Sequence, residues 1–552
     1  MKKLLVSLVA LVAFLSGQAQ LSAQNAKPVV VVSLAGYDEL MSDVDFLGQV
    51  MGIPMLNAQV AEAGVKQVTQ NQGLVGLDKK KPWGGVVLSD DSGAIKFLVF
   101  LPVSDVKGLV NAFAGPPFGF SASDAGNGVL QVQGPAPIPA FAKTQGDYTF
   151  FSQSPTDLAN LPKNPEALLG GLNKDYDLAV RAHVQNVPEG FRDQIIGGLK
   201  MGMEMNLKRP NPGEDPQAFE LRKKLVEEQL KQMDQLFKEL DTFTLGAKID
   251  GTGKTAHLDI GVTVAPTGEM AKQLAAIGQL STNHAGFLMP DAAFNMTVVS
   301  TMSGNEITQA NAMIKTFGDQ AQAQIDKEAS FPNDEVRKNA KAIVADLFNV
   351  AERTIATGKI DFGATVHLAP QSATFVAGGS VADGATVESA LKKFIDMAKN
   401  ELPEIKLNAG KLDGITLHTM TIPIPDANAQ KAFGQSADVV VGIGAKTVHV
   451  AFGRNASDAL KKVVSASSTA KSVPPFQMIA SLTPILNFAN SIEPDPNVAN
   501  VAQTLSAAPG KDHVSLVANV EKNGFVYRLK AEEGVLRAIG AAVRTAIPLG
   551  GF

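Results

Sequence analysis

The segment KIDGTGKTAHLDIGVTV, residues 248–264, contains the end of a phosphate-loop pattern in Gly253, Lys254 and Thr255. A Walker-type loop needs G-x-x-x-x-G-K-[ST], because its first glycine opens the turn whose N–H groups surround the phosphates. Lys248 stands where that first glycine belongs. The residues after the turn alternate between apolar and polar, which predicts a strand and not the helix that a phosphate loop requires. We therefore predict a β-hairpin turn, with no nucleotide or other cofactor.

Histidine could supply acid–base catalysis or metal ligands, but the seven histidines form no motif. No H-E-x-x-H occurs, and no two histidines stand four residues apart on a predicted helix. Four of them fall in predicted strands, where we expect structural histidines with satisfied ring nitrogens. The seven are His183, His257, His284, His367, His418, His449 and His513, and the four in strands are His257, His367, His418 and His449. We predict neither a metal site nor a histidine-based active site.

Nucleophile patterns are also incomplete. Gly378–Ala382 reads GGSVA, one glycine short of G-x-S-x-G, and it leads from a strand into a loop instead of a helix. Ser389–Lys392 fits S-x-x-K, but neither S-D-N nor K-T-G accompanies it. We interpret both segments as structural and predict no catalytic residue.

Four acidic residues cluster near the start of a predicted helix. They are Asp38, Glu39, Asp43 and Asp45. Acidic side chains in the first turns of a helix interact favourably with its dipole, and these four lack the D-x-[DN]-x-[DN]-G pattern of a calcium loop. We interpret them as helix-stabilising residues.

The N-terminus, MKKLLVSLVALVAFLSGQAQLSAQNA, has two lysines, an apolar run from Leu4 to Leu15, and small residues at Ala19 and Ala23. This order is typical of a secretory signal peptide, which we assign to residues 1–23 with cleavage after Ala19 or Ala23. The apolar run is short for a permanent membrane span, so a retained anchor is the alternative. We expect an exported protein, periplasmic or extracellular, with no integral membrane segment in the mature chain.

Composition narrows the class of protein. The 552 residues include no cysteine, so the exported chain has no disulfide, and its stability must come from its core, for which 45% apolar residues suffice. The formal net charge is -5, with no long block of one sign. Because nucleic-acid binding needs clustered Lys and Arg, we predict no nucleic-acid partner.

A repeated pattern organises the remaining chain. Four segments read strand, polar turn, strand and short helix, and each is preceded by another strand and helix. The hairpin segments begin at Gly84, Leu245, Phe362 and Ser515, and the preceding segments begin at Pro28, Tyr176, Ala292 and Pro474. The unit is therefore β-α-β-β-α, and it occurs four times.

The units fall into two halves of the same order. The first half, 28–277, has units at about 28–115 and 176–277 with an insert at about 126–163; the second, 291–546, has units at about 292–398 and 474–546 with an insert at about 411–466. We predict an α+β fold of two duplicated halves, with largely antiparallel sheets and helices packed on one face. The alternative is that strand and helix alternation is generic in α+β proteins.

Long helical insertions interrupt the second and third units. One starts at Pro216, and the other runs from about Glu306 to Ile355 with a break near 331–333. We interpret their charged faces as solvated; a partner-binding or membrane-surface role is the alternative, although balanced charge disfavours the membrane.

Thr267 and Asp383 stand where helix N-caps belong. Trp83, the only tryptophan, is predicted to be a packing anchor.

The chain resembles large exported proteins of uncharacterised function from planctomycete bacteria. The resemblance lies in PVVVVSLAGYDELMSDVDFLGQVMG, GLDKKKPWGGVVLSDDSG, FLPVSDVKGLVNAF and EEGVLRAIGAAV, and it covers most of the mature chain. It implies export and a duplicated α+β architecture, and it brings no catalytic residues.

These observations predict a non-catalytic binding or scaffolding protein whose partner is an unknown protein or an apolar ligand. Two alternatives remain open. One is a periplasmic carrier of a lipid or other apolar ligand on a curved sheet. The other is a cysteine-free hydrolase whose active-site residues are dispersed along the chain.

Overall fold

The computed structural model describes residues 26–90, 93–135, 140–205, 207, 210, 216–328, 331, 333–398, 404–469 and 471–546. The predicted signal peptide, residues 1–23, lies outside the described residues. The chain divides into two compact units, residues 1–270 and 271–552. Both are mixtures of helices and antiparallel strands, which confirms the α+β class. Of the helices in the described ranges, none combines the length and the apolar character that a membrane span needs.

The described residues of the first unit form ten strands: β1 (Lys27–Leu34), β2 (Trp83–Ser89), β3 (Ile95–Leu101), β4 (Ser121–Gly126), β5 (Val129–Gln133), β6 (Ala140–Gln145), β7 (Tyr148–Ser152), β8 (Leu178–His183), β9 (Leu240–Asp250) and β10 (Thr255–Val264). They form an antiparallel sheet in the order β10-β9-β8-β1-β2-β3-β7-β6-β5-β4. The hairpins predicted at β2–β3 and β9–β10 are both present.

Along the sequence, the helices of the first unit alternate with these strands. They are α1 (Tyr37–Met51), α2 (Ala58–Val68), α3 (Val106–Ala112), α4 (Leu172–Asp175), α5 (Glu189–Met205) and α6 (Pro216–Glu239), with 3₁₀ turns at Pro155–Leu158, Pro165–Leu169 and Val184–Asn186. Helix α7 (Glu269–Ile277) spans the boundary between the units in sequence.

Helices pack on both faces of the first sheet, so the prediction of one covered face is wrong. Phe100 and Phe150 belong to a core completed by Leu172 of α4 and by residues of two 3₁₀ turns. Their sequence neighbours Leu101 and Phe151 point the other way and pack with α3. Successive strand residues point to opposite faces, and both faces of this part of the sheet carry apolar side chains that pack against other elements.

The second unit contains β11 (Phe294–Thr301), β12 (Lys359–Ala369), β13 (Ser372–Ser380), β14 (Glu404–Leu412), β15 (Ile415–Pro423), β16 (Ser436–Ile443), β17 (Thr447–Gly453), β18 (Phe476–Ser481), β19 (His513–Glu521) and β20 (Gly524–Glu532). The order within this sheet is β20-β19-β18-β11-β12-β13-β17-β16-β15-β14, again antiparallel. Adding ten to each strand number of the first sheet reproduces this order.

The helices of the second unit are α8 (Gly304–Lys327), α9 (Asp334–Ala356), α10 (Gly384–Ala398), α11 (Ala427–Phe433), α12 (Ala456–Ala466), α13 (Leu482–Ile492), α14 (Pro496–Leu505) and α15 (Glu533–Ala546), with a 3₁₀ turn at Ala285–Phe287. Helix α12 and Phe287 pack on the core face of the sheet. Phe433 of α11 packs on the other face, with its ring centroid 4.9 Å from that of Phe452.

The long helical insertions are confirmed as α6 and as the pair α8 and α9, which are separated near residue 331 as predicted. Asp383 caps α10, because its Oδ1 accepts the N–H of Thr386 at 3.2 Å. The N-cap predicted at Thr267 is wrong. The carboxylate of Glu239, at the end of α6, instead accepts the N–H of Met270 at 2.8 Å.

Candidate functional site

One face of strands β8, β9 and β10 carries apolar side chains that are open to solvent. Six of these side chains are 37–41% exposed. They are Leu178, Val180, Phe243, Leu245, Leu258 and Ile260. In register they form three rows across the sheet: Leu178 with Ala247 and Leu258, Val180 with Leu245 and Ile260, and Ala182 with Phe243 and Val262. We call these nine positions the open apolar face.

The opposite face of the same strands is buried although it carries polar residues. Ala179, Thr244 and Asp259 are 1%, 6% and 1% exposed. A half-buried antiparallel strand normally buries its apolar face and exposes its polar face. Strand β10 reverses this arrangement, because Asp259 is buried between the exposed Leu258 and Ile260.

Local contacts explain why the polar face is buried. The hydroxyl of Tyr176 donates to Oδ2 of Asp259 at 3.0 Å, which satisfies a carboxylate that is costly to bury alone. The Tyr176 ring lies against Gly246, where a Cβ would come within 2.5 Å of it. Arg181 adds a hydrogen bond from Nε to the Thr244 hydroxyl at 3.0 Å. These contacts hold this register and leave the apolar side open.

The open apolar face continues toward β1 and β2. Val32 is paired with both Val180 and Gly85, and Val30 with both Ala182 and Val87. Val30, Val32 and Val87 are half-buried, whereas Val31 on the other side is buried. The apolar surface therefore extends across five neighbouring strands of the first sheet.

Helix α5 of the same unit also exposes an apolar stripe. Phe191, Ile195 and Leu199 are spaced four residues apart, so they share one helix face, and they are 50%, 54% and 48% exposed. None of its residues is buried. The first unit thus carries two exposed apolar surfaces, one on the sheet and one on α5.

The sheet of the second unit also carries individual exposed apolar side chains. Leu529 and Tyr527 of β20 are exposed, opposite Leu516 and Ala518 of β19. On β13, Phe375 is exposed while the neighbouring Val376 is buried.

The GTGKT segment forms the hairpin turn that the sequence predicts. Strand β9 ends at Asp250, β10 begins at Thr255, and the two are paired in register. The N–H of Gly253 donates to Oδ1 of Asp250 at 2.8 Å. Lys254 is exposed and adopts φ +55°. The Asp250 carboxylate thus accepts a turn N–H that a phosphate loop would direct at its ligand, as in a hairpin turn.

Two histidines meet in the core of the second unit. The rings of His284 and His449 are 5.6 Å apart, and His449 stacks on Phe287 at 6.2 Å. Burial, and then the neighbouring His284, lowers the pKa of His449 to about 4. Burial also lowers the pKa of His284. Both ring nitrogens of His284 and Nδ1 of His449 lack a hydrogen-bond partner among the described residues.

The four histidines predicted in strands do lie in β10, β12, β15 and β17. The expectation that their ring nitrogens are satisfied is wrong for three of them. Within the described part of the chain, no hydrogen-bond partner reaches Nε2 of His367, Nε2 of His418 or Nδ1 of His449. Burial is the largest influence on all three and lowers the pKa of each ring.

The serine patterns do not assemble a catalytic relay. Ser380 Oγ donates to Asp361 Oδ2 at 3.4 Å, and His284 bonds neither of them through its ring. Lys392 of the S-x-x-K segment bonds Glu388 at 2.6 Å. In the described ranges, no group of three His, Asp or Glu side chains converges as a metal site.

One residue of the acidic cluster on α1 is buried, which the sequence interpretation missed. Asp43 is 9% exposed and lies close to Asp177, the residue before β8, which is also buried. Burial, followed by the charges of Asp177 and Glu39, raises the pKa of Asp43 to about 7. Asp43 lies in the second turn of α1, beyond the orphan N–H groups of the helix start, so the helix dipole does not explain its position. Its position six residues after Tyr37, the first residue of α1, was the one available signal.

Two cavities lie beside the start of α5. Their volumes are about 400 and 470 Å³, and both include Gln185, Glu189 and Arg192. The guanidinium of Arg192 donates to the Gln185 side chain at 2.7 Å. Lys200 in the second cavity pairs with Asp234. In the second cavity Lys200 and Asp234 therefore compensate each other's charge.

Comparison of the chain with protein families, curated proteins and solved structures finds no match. The resemblance to planctomycete exported proteins therefore stays a prediction.

Proposed function

We propose that the protein is a non-catalytic binding protein whose ligand is apolar, and that the open apolar face of β8, β9 and β10 binds it. The observation that carries this proposal is the reversed burial of β10, where Leu258 and Ile260 are exposed and Asp259 is buried. Exposed contiguous apolar surface is typical of a binding site for an apolar partner or ligand.

The free energy available at this face is substantial. Burying a Val, Leu, Ile or Phe side chain fully stabilises by about 1.5–3 kcal/mol. The six exposed side chains retain about two-fifths of their surface in water. Covering that surface would release on the order of 4–7 kcal/mol, before the ligand's loss of translational and rotational freedom.

The dimensions and chemistry of the face favour a small hydrocarbon ligand over a protein. Three strands span about 10 Å, and three rows of side chains span about 14 Å. A stable protein interface buries about 800 Å² on each partner and includes about one hydrogen bond per 100–200 Å². The nine positions of the open apolar face carry neither a charge nor a hydrogen-bonding side chain. An acyl or similar hydrocarbon chain fits both properties.

A direct binding measurement tests this function. The full chain is titrated into a pyrene-labelled fatty acid, and Ile260→Glu and Leu245→Glu are compared with Met55→Glu. Met55 is 64% exposed away from the sheet, so its variant adds the same charge without touching the face. We expect Kd to rise about tenfold or more for the two face variants, since a tenfold change corresponds to about 1.4 kcal/mol. Equal affinity in all variants, or no binding by the unchanged protein, would contradict the proposal.

Export and duplication belong to the same proposal. The shared strand order of the two sheets supports an origin by duplication of one half.

Residues 1–23 are proposed as a cleaved signal peptide. N-terminal sequencing of protein recovered from the periplasm of a bacterial host is expected to begin at Gln20 or Gln24. Recovery of the chain with its Met1 intact would contradict cleavage.

A further inference from the structure

The open apolar face can cover only one side of a bound hydrocarbon chain. Its nine positions lie on one side of three neighbouring strands, and its six largest side chains are 37–41% exposed. A ligand that lies on such a surface keeps its far side in water, whereas ligand sites usually bury about 70–90% of the ligand surface. A second apolar surface is therefore needed to complete the site.

Helix α5 carries a second exposed apolar surface in the same unit. Phe191, Ile195 and Leu199, which we call the α5 stripe, are each about half exposed. The stripe extends about 12 Å along the helix, because each residue rises about 1.5 Å. The three rows of the open apolar face extend about 14 Å along the strands. The two surfaces therefore match in length.

The helices α5 and α6 are rooted at one end of the open apolar face. Ala182 and Phe243 pair with each other in the last row of this face. Strand β8 ends at His183, directly after Ala182, and β9 begins at Leu240, shortly before Phe243. Both chain connections to the two helices therefore leave the sheet beside this row.

One side chain joins the two roots. Nε2 of Gln185, between β8 and α5, donates to the carbonyl of Leu240 at 2.6 Å, and Oε1 of Gln185 accepts from Arg192 of α5 at 2.7 Å. An ion pair of 2.6 Å between Lys200 and Asp234 joins α5 to α6. No residue of α5 is buried. A helix without a buried apolar anchor belongs to the class of elements that move at low free energy.

We propose that α5 is a hinged cover for the open apolar face. When a hydrocarbon chain lies on this face, α5 and α6 turn about Gln185, and the α5 stripe packs on the ligand. Closure removes the stripe, the far side of the ligand and the face from water together, so the ligand shifts the equilibrium toward the closed arrangement. This inference rests on the proposed function, because the ligand supplies the surface on which the stripe packs.

A distance measurement on the full chain tests the closure. The chain has no cysteine, so introduced cysteines are the only sites for spin labels. Glu204→Cys places one label on α5, nine residues after Ile195 and therefore on the opposite side of the helix from the stripe. Thr252→Cys places the other in the exposed β9–β10 turn, at the end of the face away from the root of α5.

Double electron–electron resonance measures the separation of the two labels without ligand and with saturating palmitate. We expect it to shorten by about 10 Å with palmitate, because α5 comes to lie along the three rows of the face. The control pair is Thr252→Cys with Ser123→Cys, an exposed position on β4. Its separation should not change, because neither label is on α5.

A charge variant tests whether the α5 stripe touches the ligand. Ile195→Glu places a carboxylate in the stripe, whereas Met55→Glu adds the same charge at an exposed position away from both surfaces. We expect Kd for the pyrene-labelled fatty acid to rise about five- to tenfold for Ile195→Glu, since about half of that side chain loses its apolar contact with the ligand. Met55→Glu should bind like the unchanged protein.

The possible failures are distinguishable. An unchanged separation of the Glu204 and Thr252 labels, while binding stays sensitive to Ile260→Glu, would overturn the cover and leave the proposed function intact. Absence of fatty-acid binding by the unchanged protein would overturn both. A palmitate-dependent dipolar signal in protein labelled at position 204 alone would show that a second copy covers the α5 stripe, and this result would also overturn the cover.

Discussion

Leu245 of β9 pairs directly with Ile260 of β10, and both side chains are exposed on one face while Asp259 is buried on the other. Such an arrangement is unfavourable for an isolated sheet, because apolar surface stays in water while a carboxylate is desolvated. The buried face with Asp259 therefore stabilises this part of the fold, and the exposed face with Leu245 and Ile260 is the one available for binding.

The first prediction concerns stability at the open apolar face. Ile260→Thr keeps a β-branched side chain at an exposed strand position, so the free energy of unfolding should change by less than about 1 kcal/mol. Phe100→Ala, at a fully buried position, should lower it by about 3–5 kcal/mol. Urea denaturation followed by circular dichroism measures both. A loss for Ile260→Thr as large as for Phe100→Ala would show that this face is part of the core.

Trp83 gives a second prediction, revised by the structure. The residue is half-buried and not in the fully buried core, and its indole N–H donates to the carbonyl of Ala35 at 2.8 Å. Trp83→Phe removes the hydrogen bond and should lower the free energy of unfolding by about 0.5–1.5 kcal/mol. Trp83→Ala also removes the ring packing and should cost about 2–4 kcal/mol. An unchanged melting temperature for Trp83→Ala would contradict the role of packing anchor.

The hairpin turn gives a third prediction. Lys254→Ala should change the free energy of unfolding by less than about 0.5 kcal/mol, since Lys254 is exposed and Ala meets the same backbone constraint at positive φ. Millimolar ATP with magnesium should leave the melting temperature unmoved, because a ligand that binds only the folded state would raise it. An ATP-dependent rise that disappears in Lys254→Ala would restore the nucleotide hypothesis.

The buried histidine pair gives a fourth prediction, on acid stability. An unfolded histidine titrates near pH 6.5, whereas the pKa of folded His449 is about 4. Below pH 6.5 the unfolded chain binds a proton that the folded chain does not bind, so stability should fall between about pH 6.5 and 4. His449→Phe should remove on the order of 1–3 kcal/mol of that loss. The measurement is the difference in unfolding free energy between pH 7.5 and pH 4.5.

A suitable control for the histidine experiment is Lys254→Ala, which leaves all seven histidines in place. Its loss of stability on acidification should match that of the unchanged protein. If His449→Phe shows the same acid dependence as this control, the buried pair does not determine acid stability.

Local sequence signals determined much of the secondary structure. The turn residues between Asp250 and Thr255 specified the β9–β10 hairpin, because Asp and Gly accommodate the backbone of a tight turn. The 3.6-residue spacing of apolar residues located α6, α8 and α9. Pro332 in the sequence indicated the break between α8 and α9 near residue 331. The antiparallel character followed from the short hairpin connections, which cannot join parallel strands.

The alternation of β10 also determined that Leu258 and Ile260 share one face, because successive strand residues point to opposite sides. It could not determine which face is covered. That depends on Tyr176 and on helices contributed by distant parts of the chain. For the same reason the sequence did not bring Asp43 to Asp177 or His284 to His449. Each pair is brought together by the packing of segments that are far apart in the sequence, and its protonation is set mainly by burial, which is a property of tertiary structure and not of local sequence.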